Sequence, residues 1–170
     1  MRDQQAQALG EYLKTSLELD LGDLMQLNDL LSQERGSLEK NAFDQLPEIN
    51  DDKARLSLSL EKRASQRDAE LNANALEGKD SQSWLHIIEL IESRSGLRLW
   101  SLWRKVEQEL KACDRMLKIN EKIVAGMQQS ANQFIQAIKQ QESGSSPSQT
   151  YGAKGNAAVN VAQSGPLSIA

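Results

Sequence analysis

The sequence predicts an all-α fold: an elongated antiparallel helical hairpin or bundle of three to four helices with a flexible C-terminal tail. Three observations carry this prediction. Trp103, Val106, Leu110, Cys113, Leu117, Asn120, Val124, Met127, Ala131, Phe134 and Ile138 alternate steps of three and four without a break, the spacing of a narrow apolar seam on a helix. Only three prolines occur, at 47, 147 and 166, so nothing interrupts the helical stretches outside one loop and the tail. No useful length alternates with period two, so no sheet is expected.

The first helix is expected over about Asp3 to Phe43. Leu9, Leu13, Leu17, Leu21, Leu24, Leu31 and Leu38 mark one face, and Leu27 and Leu30 widen it. Gly10, Gly22 and Gly36 each weaken this helix by about 1 kcal/mol relative to alanine, which predicts local bends and not a break. Asp44 to Asn50 reads as a turn, because Pro47 disfavours helix at Leu46. Asn50 before Asp51 and Asp52 reads as a helix start, with acidic residues at the positive end of the dipole.

A second helix is expected from about Asp51 to Leu76, on a poorer stripe of Ala54, Leu56, Leu58, Leu60, Ala64 and Leu71. Its stretch from Arg63 to Glu70 is almost wholly polar, as in a mobile segment or one that leans on partner surfaces. Glu77 to Ser81 forms a loop. Trp84, Leu85, Ile87, Ile88 and Ile91 make a short apolar helix ending near Ser95 and Gly96. The last helix runs from about Leu97 to Gln141, roughly 65 Å at about 1.5 Å per residue. Short loops favour antiparallel neighbours. Residues 1–142 therefore form the helical domain, and 143–170 a polar tail.

Composition narrows the function. At 170 residues the chain supports one domain. Its hydrophobic fraction is 39% against 4% aromatic, so the core is aliphatic and thin. A net charge of −4 with no cluster of Lys and Arg disfavours nucleic acid. Met1 to Thr15 is too polar for a secretory signal, and no apolar run approaches the ~20 residues of a membrane span. The single Cys113 has no intrachain partner, which fits a reducing cytoplasm; its seam position reads as inert core.

Catalytic chemistry is hard to place on this chain. His86 is the only histidine, and one His-x-x-Glu pair with Glu89 falls short of the ligand set of a metal centre in a bundle. Neither a nucleophile elbow nor a phosphate-cradling Gly-rich loop is present. No enzyme activity, cofactor or metal is expected. Asn120 either fixes helix register as a buried polar residue or sits on a solvated stretch of an unfilled seam. Trp84, Trp100 and Trp103 read first as a plug at one end of the bundle, with a docking patch as the alternative.

The set Ile119, Ile123, Val124, Met127, Phe134, Ile135 and Ile138 is broader than one seam requires. One face can pack internally while the other is offered to a partner helix, and Met127 suits adaptable packing; a fully buried central helix is the plainer reading. In the tail, Tyr151 is the only aromatic, beside Gly152 and Gly155, and reads as an anchor for a short linear motif, against a featureless tail.

Three features together resemble the FlgN family of flagellar type III export chaperones. They are the Leu-rich first helix with Leu30-Leu31-Ser32-Gln33-Glu34, the last helix from Asn120-Glu121-Lys122-Ile123-Val124 to Ile138, and Thr150-Tyr151-Gly152-Ala153-Lys154-Gly155. The last is the most specific, since it is similar to the family's Tyr-Gly-Ala-x-Gly tail motif. The resemblance implies a cytoplasmic, non-enzymatic chaperone for the hook–filament junction proteins FlgK and FlgL, which keeps their terminal helices from associating early and delivers them to the export apparatus. It places client binding at Ile119, Ile123, Val124, Met127, Phe134, Ile135 and Ile138, and docking at the export gate on Tyr151. The chain departs from the family in a tail running well past Gly155 and in the Trp-rich segment at 84 to 91. The alternative is a structural coiled-coil rod that forms a homo-oligomer and takes no client.

Overall fold

Leucines at heptad spacing open the chain, and they form helix α1, Asp3–Glu39. The computed structural model of the chain describes residues 3–74, 76 and 81–144, without the side chains of 81–83 and 142–144. After α1 come a short 3-10 turn, Phe43–Gln45, then α2, Leu46–Ala73, α3, Ser81–Ser95, and α4, Leu99–Gly144. The described residues contain these four helices and no strand. The chain divides into two compact units, Met1–Ser130 and Ala131–Ala170. The first holds α1, α2, α3 and α4 as far as Ser130. In the second, α4 from Ala131 to Gly144 is described.

α1 stops short of the expected Phe43 because Asn41 takes the left-handed conformation, φ 55°. The Ala42 N–H donates to the Ser37 carbonyl at 2.8 Å and the Asn41 N–H to that of Leu38 at 3.2 Å. This pair of bonds closes a helix end, and Asn is one of the few side chains that accepts the required backbone.

The expected turn at Asp44 to Asn50 is mostly helix. The 3-10 turn delivers Leu46 already in the right-handed α region, with its N–H on the Phe43 carbonyl. Pro47 then falls in the first turn of α2, where its missing N–H has no helical partner to lose. Proline here starts the helix.

Glycine and a carboxylate shape the passage from α3 to α4. Gly96 has φ 71°, which a glycine adopts at no steric cost, and its N–H donates to the Glu92 carbonyl at 2.9 Å. The Glu92 side chain accepts from the Trp100 N–H at 2.7 Å, placing a negative charge at the start of α4. At Gly10 a β-carbon would stand 2.8 Å from Leu97 Cδ1 and 3.2 Å from Ser95 Cβ, so glycine permits the close approach of α1 to this corner.

Two apolar clusters hold the first unit together. Leu9, Leu13, Leu71, Ile87, Ile88, Ile91 and Leu99 form one, flanked by half-buried Trp84, Trp100 and Trp103. Trp84 and Trp103 stack with centroids 5.3 Å apart and planes 5° from parallel, so the aromatic cluster plugs this end of the unit. Leu17, Leu24, Leu31, Val106 and Cys113 form the other, with half-buried Leu21, Leu27, Leu60 and Met116 against it. Each large aliphatic side chain taken from water contributes about 1.5–3 kcal/mol.

Side-chain bonds give the helix directions. The Cys113 thiol donates to the Leu24 carbonyl at 3.4 Å and Asn120 Nδ2 to that of Leu31 at 2.9 Å, both across 89 residues of chain. In the first unit α4 is therefore parallel to α1, with Val106 level with Leu17. α2 runs antiparallel to α1, since Lys53 meets Glu34, Arg63 meets Asp20 and Arg67 meets Ser16.

The polar stretch from Arg63 to Glu70 is anchored internally. Asp20, 2% exposed, accepts from both Arg63 and Arg67. Arg63 also reaches Asp23, and Arg67 Nη1 donates to Ser16 Oγ at 2.8 Å. Burial by itself would lower the Arg63 pKa, but the bonds and charges of Asp20 and Asp23 raise it above the usual value. These arginines turn inward because α1 supplies carboxylates where a leucine would otherwise face α2.

Candidate functional site

The face of α4 that meets α1 uses every second position of the seam. Val106, Cys113 and Asn120 are buried and Met127 is half-buried, each a heptad from the next. They lie level with Leu17, Leu24, Leu31 and Leu38, all buried. The Cys113 thiol is held above the ordinary thiol range, first by burial and then by the charge of Glu109. It is a core group, as its place in the seam predicts.

The other half of the seam is open. Leu110 is 56% exposed, Leu117 43% and Val124 37%. The side chains that α1 and α2 present beside them leave these three exposed. At 3.6 residues per turn these three lie on one side of the buried line, and Ile119 and Ile123 on the other. A cleft of about 390 Å³ runs beside the open row, lined by Leu27 and Leu31 of α1, Ala54 and Ser57 of α2, and Leu110, Cys113 and Leu117 of α4. A second cleft, about 230 Å³, follows along α4, lined by Glu34, Leu117, Asn120, Glu121, Val124, Ala125 and Gln128.

Asn120 resolves in favour of the buried reading. Its Nδ2 donates to the Leu31 carbonyl and to Glu34 Oε2, each at 2.9 Å, while Oδ1 has no partner. Glu34 carries Lys53 Nζ on its other oxygen at 2.6 Å. One carboxylate thus ties α1 to both α2 and α4.

Of the client-binding residues expected from sequence, Ile119 and Val124 are exposed and Ile123 and Met127 half-buried in the first unit. In the second unit Phe134 is 68% exposed, and Ile135 and Ile138 are exposed as well; every residue from Ala131 to Gln141 is exposed. Leu110 and Leu117 escaped the sequence reading because seam spacing alone does not say which half of a seam is filled. Tyr151 and the tail motif lie outside the described residues. His86 is exposed. Among the described residues no three His, Cys, Asp or Glu side chains gather where they would hold a metal ion, and no described helix is long and apolar enough to cross a membrane.

The family model described as FlgN protein matches residues 1–158 of the chain. The chain belongs to the FlgN family. This family is one of flagellar export chaperones, and its general role, holding flagellar proteins before export, agrees with a helix whose apolar row is uncovered. No curated protein and no solved structure matches the chain.

Proposed function

We propose that this FlgN-family chain is a cytoplasmic, non-enzymatic chaperone of the hook–filament junction proteins FlgK and FlgL. It binds their terminal helices through α4 and delivers them to the type III export apparatus. The observation that carries the reading is the half-open seam, in which Leu110, Leu117 and Val124 stay exposed while Val106, Cys113 and Asn120 are buried on α1. Ile119, Ile123 and Met127 of the same unit, and the exposed Phe134, Ile135 and Ile138 of the second, are the other apolar side chains that α4 offers a client. Residues 1–142 serve as the chaperone domain and 143–170 as the tail.

The physical mechanism is helix exchange. An amphipathic client helix lies against the open row, and both apolar surfaces leave water together. Each large side chain covered contributes about 1.5–3 kcal/mol before the costs of ordering and association. Four or five such anchors give binding of about micromolar strength or tighter. The client is thereby kept from pairing with other helices until it is released.

Ile123, Met127, Phe134 and Ile138 changed together to Ser test the reading. Client capture is lost while circular dichroism keeps its helical signal; capture at the parent level overturns it. Docking at the export gate falls to Tyr151, the tail's lone aromatic. Tyr151→Ala retains client affinity and lowers recovery of the export-gate cytoplasmic domain in a pull-down, and equal recovery refutes that role. If the same open row instead closes a tight homo-oligomer, sedimentation shows a size independent of concentration, and the coiled-coil rod is the correct reading.

A further inference from the structure

We propose that the client helix is held in a groove between α4 and α2, so that α2 forms the second wall of the binding surface. The partner is an amphipathic helix that packs as the fourth helix beside α1, α2 and α4 in the first unit. This rests on the docking reading above, which uses α4 alone, and adds α2 and the face of the partner that meets it.

α2 and α4 both lie along α1, and between them runs the cleft of about 390 Å³. Leu27 and Leu31 of α1 and Cys113 of α4 line it together with Leu110 and Leu117 of α4 and Ala54 and Ser57 of α2. Ala54 and Ser57 are exposed, as are the two leucines. Where α2 presents a leucine, at Leu60, it packs against the cluster of Leu17, Leu24 and Val106. At Ala54 and Ser57, one turn apart, the side chains are too short to cover Leu110 and Leu117. Two charged residues line the cleft, and both are matched within the chain, Lys53 with Glu34 at 2.6 Å and Asp114 with Lys118 at 2.7 Å. The groove therefore takes apolar side chains and needs no charge from its occupant.

The length of the groove decides what fills it. From Leu110 to Val124 the open row covers two heptads, about 21 Å of helix. The chain's own tail has no such helix to offer: Pro147, Gly152, Gly155, Gly165 and Pro166 interrupt it, and its longest run free of both residues is Asn156 to Ser164. A second copy presents the same concave groove, and two grooves do not fill each other. A helix from a different polypeptide does. It sets one apolar row on Leu110, Leu117 and Val124 and the next toward Ala54 and Ser57, where large side chains interdigitate with small ones. The client's apolar face is thus two rows wide, broader than a single coiled-coil seam.

The test makes Ser57→Cys, Leu117→Cys and Gln66→Cys singly in the full chain, in a Cys113→Ser background, and adds a synthetic peptide of a junction-protein terminal helix. Gln66 is exposed and lies half a turn round α2 from Ser57. With the peptide, alkylation slows at least about tenfold at positions 57 and 117 and stays within about twofold at 66. Ala54→Leu with Ser57→Leu fills the groove in advance, so peptide affinity falls at least about tenfold while the urea midpoint does not drop; should that variant unfold, the alkylation rates decide alone. Protection at 117 without protection at 57, or unchanged affinity in a folded double-leucine variant, overturns the second wall while docking on α4 stands. A site at 57 already protected in the free chain overturns it too. Protection at neither 57 nor 117, up to about 1 mM peptide, overturns the docking reading together with it.

Discussion

The Asn120 side-chain amide donates to the Leu31 carbonyl at 2.9 Å, one heptad beyond the contact of Cys113 with Leu24. These two bonds fix α4 parallel to α1 in the first unit at a single register. Because α1 ends at Glu39, that register runs out at Gln128. A buried Asn is an expensive way to set register, since its carbonyl oxygen is left without a donor. Asn120→Leu stabilises the chain by about 1 kcal/mol in urea unfolding, and the register becomes less exclusive.

Asp20 holds two arginines, and removing it leaves the Arg67 guanidinium buried without a countercharge and Arg63 with Asp23 alone. Asp20→Ala lowers stability by about 3 kcal/mol or more, the cost of breaking a buried pair from one side. Replacing Asp20, Arg63 and Arg67 together with Leu or Met recovers most of that loss. Thermal unfolding of the single and triple variants checks both expectations, and a single variant as stable as the parent contradicts the network's role.

Two glycines of α1 respond in opposite ways. Nothing lies within 4 Å of a β-carbon added at Gly22, so Gly22→Ala gains about 0.5–1 kcal/mol of helix propensity. Gly10→Val drives a branched side chain into Leu97 and Ser95 and costs about 1–3 kcal/mol. Denaturant midpoints of the two variants move apart from the parent on either side.

Cys113 gives the pH dependence. Burial raises its pKa above the ordinary thiol value, so the folded chain favours the neutral thiol more than the unfolded chain does. That contribution is fully present below the thiol's ordinary range and is lost as pH rises through the raised value. The parent loses more stability than Cys113→Ala on going alkaline. At neutral pH a thiol reagent modifies Cys113 only as fast as the chain opens.

Much of the fold was legible because periodicity reports which residues share a face. The leucines of α1 and the apolar cluster of α3 read correctly as core, and Cys113 as a buried thiol. The start of α2 was misread because Pro47 is compatible with a turn or with a first helical turn, and only the preceding 3-10 turn decides. The stretch from Arg63 to Glu70 looked solvated because its partners, Ser16, Asp20 and Asp23, lie forty or more residues away in the chain. Along α4 the sequence showed the seam but not its division, which depends on how α1 and α2 pack beside it.

The central claim is that the open row of α4 stays uncovered until another polypeptide covers it. Thiol modification of single cysteines placed at Leu117 and Val124, in a Cys113→Ser background, measures this directly. Both sites react within a few-fold of the rate of an unstructured peptide in the free chain, and at least about tenfold more slowly once a junction-protein terminal helix is added. Sites that are already protected without that helix, and do not change when it is added, would contradict the account.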